Sequence, residues 1–472
     1  MTDFRAVPLA LSAWTTSVLL VQHVRLWFLV FALFVPFLFT TFRYTAIGCA
    51  ATSIAICSIF FVIEPIREPP ALLSATTTNS VHKLVVRIDS LPRSSAYASN
   101  LKCTLLEIDT YSDLSVPCAL RGDTAYSVGS AIALNGKLKK APPGRRESVY
   151  ISPVSDPKPV RHSPWYLDWA NYLRNGVFEK VSSMPGDGGK LLLGLSVGDT
   201  RGVGQSLDKA MKDTSLSHLT AVSGSNCAMV VAIIARLFSF LRVRFRVIVS
   251  ILSLLLFVIL VIPDSSIVRA AIMALATLCG LYSGRIGVGL PVLSLAVLGM
   301  LLWNPWFACD YGFLLSVAAT AGILLMSKSI EIRMQSMRFL RLNLGPIAPL
   351  IAVPLSAQLA CQPILILITP QIPLTGVVAN AISEPVVPIA TILGLLAVLF
   401  SPIDMVSRLF LMLGYLPSEW IARAARALAF IPPLPFPGGV LGVMLLITLT
   451  LSIIFIVRRL TGTAVPMQKS KV

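Results

Sequence analysis

The densest run of groups able to do chemistry is LLLGLSVGDTRGVGQSLDKAMKDTSLSHLTAVSGSNCAMVVAII, residues 191–234. Gly194, Gly198, Gly202, Gly204 and Gly224 interrupt a pattern that is otherwise helical. Asp199, Arg201, His218, Ser223, Ser225 and Asn226 accompany them at the mouth of an apolar segment. Helix N-termini at such breaks present backbone N–H groups that suit phosphate. Arg201 carries a fork that matches phosphate oxygens. Asp199 repels an anion, so its expected work is to hold Arg201 or to cap a helix. His218 and Asn226 are eight residues apart, just over two turns, which puts them on one face of a continuous helix. The plainer alternative is a helix contact, with Ser223, Gly224 and Ser225 letting a neighbour approach.

Polar residues recur deeper in apolar surroundings. Arg269 stands near the start of an apolar run, where snorkelling to the interface and a phosphate contact are equally good readings. Gln358, Asn380 and Glu384 lie further along, and Glu384 precedes Pro385 in a broken segment that favours a cavity over lipid. Asp310, beside Trp303 and Trp306, reads as an interface marker.

The elements that must hold these groups are membrane helices. Of 472 residues, 55% are hydrophobic and 13% charged, and the mean hydropathy is +0.79. A soluble domain is about a quarter charged. Apolar stretches fall at about 7–22, 26–42 and 44–63, then at 216–237, 246–263, 266–282, 287–303, 309–327, 346–369, 376–400 and 438–457, and such lengths can cross a bilayer. The segment 409–432 carries Glu419, Arg423 and Arg426, and its composition leaves open whether it spans. The net charge of +17 gathers in short loops and tails, as at Arg242, Arg244, Arg246, Arg458 and Arg459. The positive-inside rule accounts for it without nucleic acid. With all three N-terminal stretches spanning and Arg5 and Arg43 cytoplasmic, the chain after residue 63 lies outside.

Residues 64–160 differ in kind. VHKLVVRIDS (81–90), LKCTLLEIDT (101–110) and SAIALNGKLKK (130–140) alternate in part, and Gly, Pro, Asn and Ser separate them. They predict a small all-β barrel of about five strands. Cys103 and Cys118, alone among the eight cysteines in this polar insert, are placed to join neighbouring strands in an oxidising space. Its Tyr97, Tyr111, Tyr126 and Tyr150 are able to stack bases, though tyrosines are more often core or surface. After it, Trp165, Trp169, Tyr172 and Leu173 follow helical spacing, with Arg174 and Lys180 among them. That suits either an interfacial helix or one docked on the barrel. The expected division is 1–63 as N-terminal membrane segments, 64–160 as the β domain, 161–190 as amphipathic helix and linker, 191–460 as membrane core, and 461–472 as a basic tail. No Cys/His cluster or metal-ligand run is present, so neither cofactor nor metal is expected.

The stretch 198–226 also resembles the signature of ComEC-type competence proteins. The matching residues are Gly198-Asp199 with Arg201, Ser217-His218-Leu219, and Ala221-Val222-Ser223-Gly224. VRAAIMA (268–274), CDYGFLLSVAATAGIL (309–324), AQLACQPIL (357–365) and ANAISEPVVP (379–388) resemble further family segments in the expected order. The resemblance implies a polytopic α-helical membrane protein of the inner membrane with an extracytoplasmic OB-like barrel, passing single-stranded DNA to the cytoplasm. It implies a bilayer, a DNA receptor, a cytoplasmic motor and a separate nuclease as partners, and leaves a homo-oligomer open. Two departures stand out. Asn226 occupies a position where most members have histidine, so a proton or metal role there is doubtful. The metallo-β-lactamase-like domain of long members is not expected, so strand degradation would fall to another protein. The rival readings are a secondary transporter of a small anionic solute and an intramembrane enzyme using Ser223 with His218. Against the enzyme, five residues on a helix place those two roughly 140° apart.

Overall fold

In the computed structural model, the alternating segments fold into a closed barrel. Its strands are β1 (Val81–Ile88), β2 (Asn100–Ile108), β3 (Val116–Arg121), β4 (Ala131–Lys140) and β5 (Val149–Pro153), with a short β6 (Lys158–Arg161) added to β4. The order β1-β2-β3-β5-β4 closes through the β1–β4 pairing, and all pairs are antiparallel except β3 with β5. Closure removes sheet edges that would otherwise invite another strand. Inward positions carry Leu84, Val86, Leu101, Leu105, Ile132 and Ile151, all fully buried. Each such side chain contributes about 1.5–3 kcal/mol of burial. Cys103 lies opposite Cys118 across β2 and β3, Cα atoms 4.9 Å apart, and the two are joined as a disulfide.

The structure describes residues 6–22, 43–77, 80–91, 100–122, 126–142, 145–220, 224–261, 265–282, 289–336, 338–339, 342–343, 347–439, 441–446 and 448. The expected span at 26–42, most of that at 438–457, the tail 461–472, Tyr97 and Ser223 lie outside them.

Around the barrel's attachment is a helical bundle. Its helices are α1 (Val7–Val21), α2 (Arg43–Arg67), a short α3 (Pro70–Thr77), α4 (Trp165–Ser182), α5 (Gly188–Val197), α6 (Gln205–Asp213), the single turn α7 (Ser217–Thr220) and α8 (Gly224–Leu237). They continue as α9 (Val243–Leu260), α10 (Ser265–Tyr282), α11 (Gly289–Trp303), α12 (Tyr311–Ser336), α13 (Ala348–Ile368), α14 (Gly376–Ser383), α15 (Val387–Leu399) and α16 (Asp404–Leu428). Four of them hold segments long and apolar enough to cross a bilayer: Gly48–Arg67, Val243–Leu260, Tyr311–Gln335 and Ala348–Ile368. Two polar residues of α1 are used between helices. Thr16 donates to Ser53 at 3.0 Å, and the Ser12 and Thr52 hydroxyls lie 2.9 Å apart.

One expected span is broken: the segment 376–400 divides into α14 and α15, bent by 56°. Pro385, which has no N–H to donate and disfavours helix in the residue before it, lies at the break. Residues 409–428 of the segment 409–432 belong to the long helix α16, which packs Leu411, Gly414, Ser418, Ile421 and Ala425 inward. It turns Leu409, Met412, Leu413 and Leu416 outward. Small residues set the tightest crossing: a Cβ at Gly322 of α12 would lie 2.5 Å from Ala360 Cβ and 2.7 Å from the Ser356 carbonyl of α13.

Candidate functional site

The barrel is seated on one end of the bundle by cations. Arg67, the last residue of α2, is buried, stacks 4.2 Å above the Trp306 ring and donates to the Arg146 carbonyl. Arg146, in the β4–β5 connection, pairs with Asp310 at 3.5 Å and lies over the Phe307 ring. Asp310 Oδ1 also accepts from Phe313 N at 3.1 Å, capping α12. Lys140 of β4 pairs with Glu68 at 2.7 Å. Asp310 is thus a docking residue for the barrel rather than only an interface marker.

A second seam runs through α4. Ala170, Leu173, Val177 and Val181 are buried, while Trp165, Trp169 and Tyr172 are exposed on the other face. Asn171 donates to the Val128 carbonyl of the barrel at 2.9 Å, and buried Arg174 donates to Asn171 Oδ1 at 2.6 Å. The helix therefore docks on the barrel and bares an aromatic face at the same time.

Gly198 ends α5 with φ +78°, a left-handed conformation that glycine adopts without strain. The turn delivers Asp199 into the interior, 1% exposed. Arg201 closes on it, with Nη2 2.6 Å from Oδ2 and Nε 3.0 Å from Oδ1, and also donates to Asn175 at 3.0 Å. Its guanidinium lies 4.3 Å over the Phe178 ring, and Arg174 is within electrostatic reach of Asp199. The fork that suited phosphate is occupied by a carboxylate. The sequence reading missed Asn171, Asn175 and Phe178 as partners. The one signal for them was a helix carrying polar residues on both faces.

His218 lies on α7 and Asn226 on α8, and residues 221–223 between them lie outside the described residues. His218 is exposed, its Nδ1 3.0 Å from the Ser215 carbonyl. Asn226 is buried and donates to the Leu195 carbonyl at 3.2 Å, tying α8 to α5. Gly224 is the first residue of α8.

After α13 the chain folds back along it. Gln362 donates to the Gln371 carbonyl and Gln358 to the Pro373 carbonyl, both at 3.2 Å. Two glutamines therefore satisfy irregular backbone inside an apolar bundle, where an unpaired carbonyl is costly. Residues 371–372 also pair with 434–435. Gly376 begins α14 against Gln358 and Ser215, and Asn380 donates to the Gly376 carbonyl at 2.8 Å. Glu384 caps the end of α14 at the bend. Gln362 Oε1, Thr375 Oγ1, Asn380 Oδ1, Ser383 Oγ and Thr391 Oγ1 are buried without a hydrogen-bond partner in the protein.

Arg269 does not snorkel. It is 4% exposed, on the second turn of α10, and donates through Nη2 and Nε to Ser316 Oγ of α12 at 2.6 and 3.1 Å. Ser266 Oγ lies 2.9 Å from the same oxygen. Cys227 at the start of α8 packs in one cluster with Ile267 and Ala270, so α8, α10 and α12 all begin near one another. Among the described residues, no group of three or more His, Cys, Asp or Glu side chains is arranged to hold a metal.

Comparison with curated proteins and with solved structures gave no match. A family model described as Competence protein matches residues 195–461, more than half of the chain. The matched region takes in the Asp199–Arg201 turn, α7 and α8, Arg269 and the fold-back after α13. The chain belongs to the competence protein family, whose role is in DNA uptake.

Proposed function

We propose that the bundle is the passage by which a single DNA strand crosses the cytoplasmic membrane, with the barrel on the outer face receiving it. The observation that carries this reading is the fold-back of 369–376 with the bent pair α14–α15. Irregular backbone at membrane depth is tolerated only where protein buries it or where it lines a wet cavity. Five buried oxygens without protein partners gather on this segment and its neighbour α13, and buried polar groups of that kind call for water or a polar ligand. A polyanion needs such a hydrated lining.

In this reading Asp199 and Arg201 brace the mouth, Gln358 and Asn380 hold the fold-back open, and Glu384 stands at its bend. Gly198, His218, Gly224 and Asn226 belong to the same mouth, and Ser223 is a further candidate from the sequence. A receptor, a motor and a nuclease would be separate proteins. The bent pair would also suit a carrier of small anions, and transport assays separate the two. A strain lacking the chain is compared with the restored strain for uptake of end-labelled DNA into a nuclease-protected form. The proposal expects protected label only in the restored strain. Equal label in both overturns it.

A further inference from the structure

Three arginines are fully buried among the described residues: Arg67, Arg174 and Arg269. Two of them have carboxylates within electrostatic reach, Glu68 and Glu147 for Arg67 and Asp199 for Arg174. Arg269 has none among the described residues. Its fork is spent on one serine hydroxyl, and Nη1 faces only the Met273 sulfur at 2.9 Å. A thioether is a weak acceptor. A buried cation without a counter-charge is expensive, and in a membrane bundle it marks a functional site by default.

Position adds to the argument. Ser316 of α12 lies six residues beyond its capping residue Asp310, about 9 Å along the helix axis. Asp310 is where the barrel docks through Arg146. Ser316, the partner of Arg269, thus lies along α12 from the barrel's docking point. Ser266 and Ser316 present two hydroxyls there, 2.9 Å apart.

We propose that Arg269, Ser316 and Ser266 form a phosphate-binding station on the strand's route from the barrel into the bundle. This rests on the reading of the bundle as a DNA passage and names the contact through which the strand's backbone is held. The guanidinium turns from Ser316 to a phosphodiester, and the two hydroxyls donate to its remaining oxygens. The contact is blind to sequence, since it touches no base.

The test uses the full chain in detergent, with fluorescent oligothymidylate as probe and affinity measured over a range of salt. Removing one phosphate contact from a single strand lowers the slope of log affinity against log salt by about 0.7. Arg269→Gln is expected to weaken binding and to lower the slope by that amount, whereas Arg269→Lys keeps the slope. A fold defect would lower the bound fraction and leave the slope alone. An unchanged slope in Arg269→Gln, with binding intact, overturns the station while leaving the passage standing. An Arg269-dependent response to inorganic phosphate with none to oligothymidylate also overturns it, by assigning the site to a free anion. Asp264 is the nearest acid in sequence. Recovery of the wild-type salt slope by Asp264→Asn in the Arg269→Gln chain would make the arginine an internal counter-ion, and would also overturn the station. Absence of any oligothymidylate binding, together with DNA uptake that does not need the chain, fails the passage itself.

Discussion

Asp199 and Arg201, two residues apart on a glycine-ended turn, hold one another through two forked hydrogen bonds of 2.6 and 3.0 Å in the interior of the protein. The carboxylate is fully enclosed and the guanidinium nearly so. The turn's conformation depends on this pair, because Asp199 Oδ1 also accepts from the Arg201 backbone N–H at 3.2 Å.

Breaking such a pair from one side leaves a buried charge and costs about 3–5 kcal/mol. Asp199→Ala is therefore expected to lower the thermal midpoint of the detergent-purified protein sharply and to abolish DNA uptake. Arg201→Lys should do much of the same, since an ammonium cannot reproduce the fork. The Asp199→Ala/Arg201→Ala double variant should recover part of the midpoint. Strictly additive losses in the double variant would contradict the pairing.

Cys103 and Cys118 close a loop with a sequence separation of 15, for which the chain-entropy model gives about 3 kcal/mol of stabilisation. Alkylation without reductant, followed by mass spectrometry, should find both thiols protected in protein taken from cells. Free thiols at both positions would place the barrel in a reducing space and contradict an outer location.

Gln358 and Gln362 each satisfy one carbonyl of the fold-back. Replacing either by leucine strands that carbonyl at a cost of about 1–3 kcal/mol. Gln358→Leu and Gln362→Leu are expected to reduce uptake more than Leu359→Ala, whose side chain is exposed. Equal effects from all three, measured at matched protein levels, would remove the fold-back from the function.

Asp109 on the barrel is held below the ordinary carboxylate range, first by the hydrogen bond with His82 and then by the Lys83 backbone N–H. A depressed folded value stabilises above the ordinary value of 3.8 and is lost as pH falls through the depressed one. Asp109→Asn, which tolerates the positive φ of 49° there, should lower the midpoint at pH 6. The gap from wild type should shrink below pH 3.8. A constant gap across that window would contradict the linkage.

Much of this architecture is legible in the sequence. Alternation at 81–90, 101–110 and 130–140 marked β1, β2 and β4 because one face of a small barrel is dry. Apolar runs marked the long helices because a bilayer demands length. The fold-back of 369–376 was not legible. Its glutamines sit in an apolar run, and nothing in their spacing says that they bond carbonyls further along the same chain. Arg269 was ambiguous because apolar neighbours are the same whether lipid or protein lies beyond them. Only its partner on α12 decided for burial.

The central claim, that a strand passes through this bundle, is tested most directly by cross-linking. A photoreactive residue is placed in turn at Ser383 on the buried face of α14 and at Leu413 on the outward face of α16. Cells are given DNA whose trailing end is blocked, so that the strand stalls in transit, and are then illuminated. The account predicts strand adducts at position 383 and none at 413, with the adducts lost in Asp199→Ala. Adducts at 413, or none at 383 while uptake proceeds normally, would contradict it.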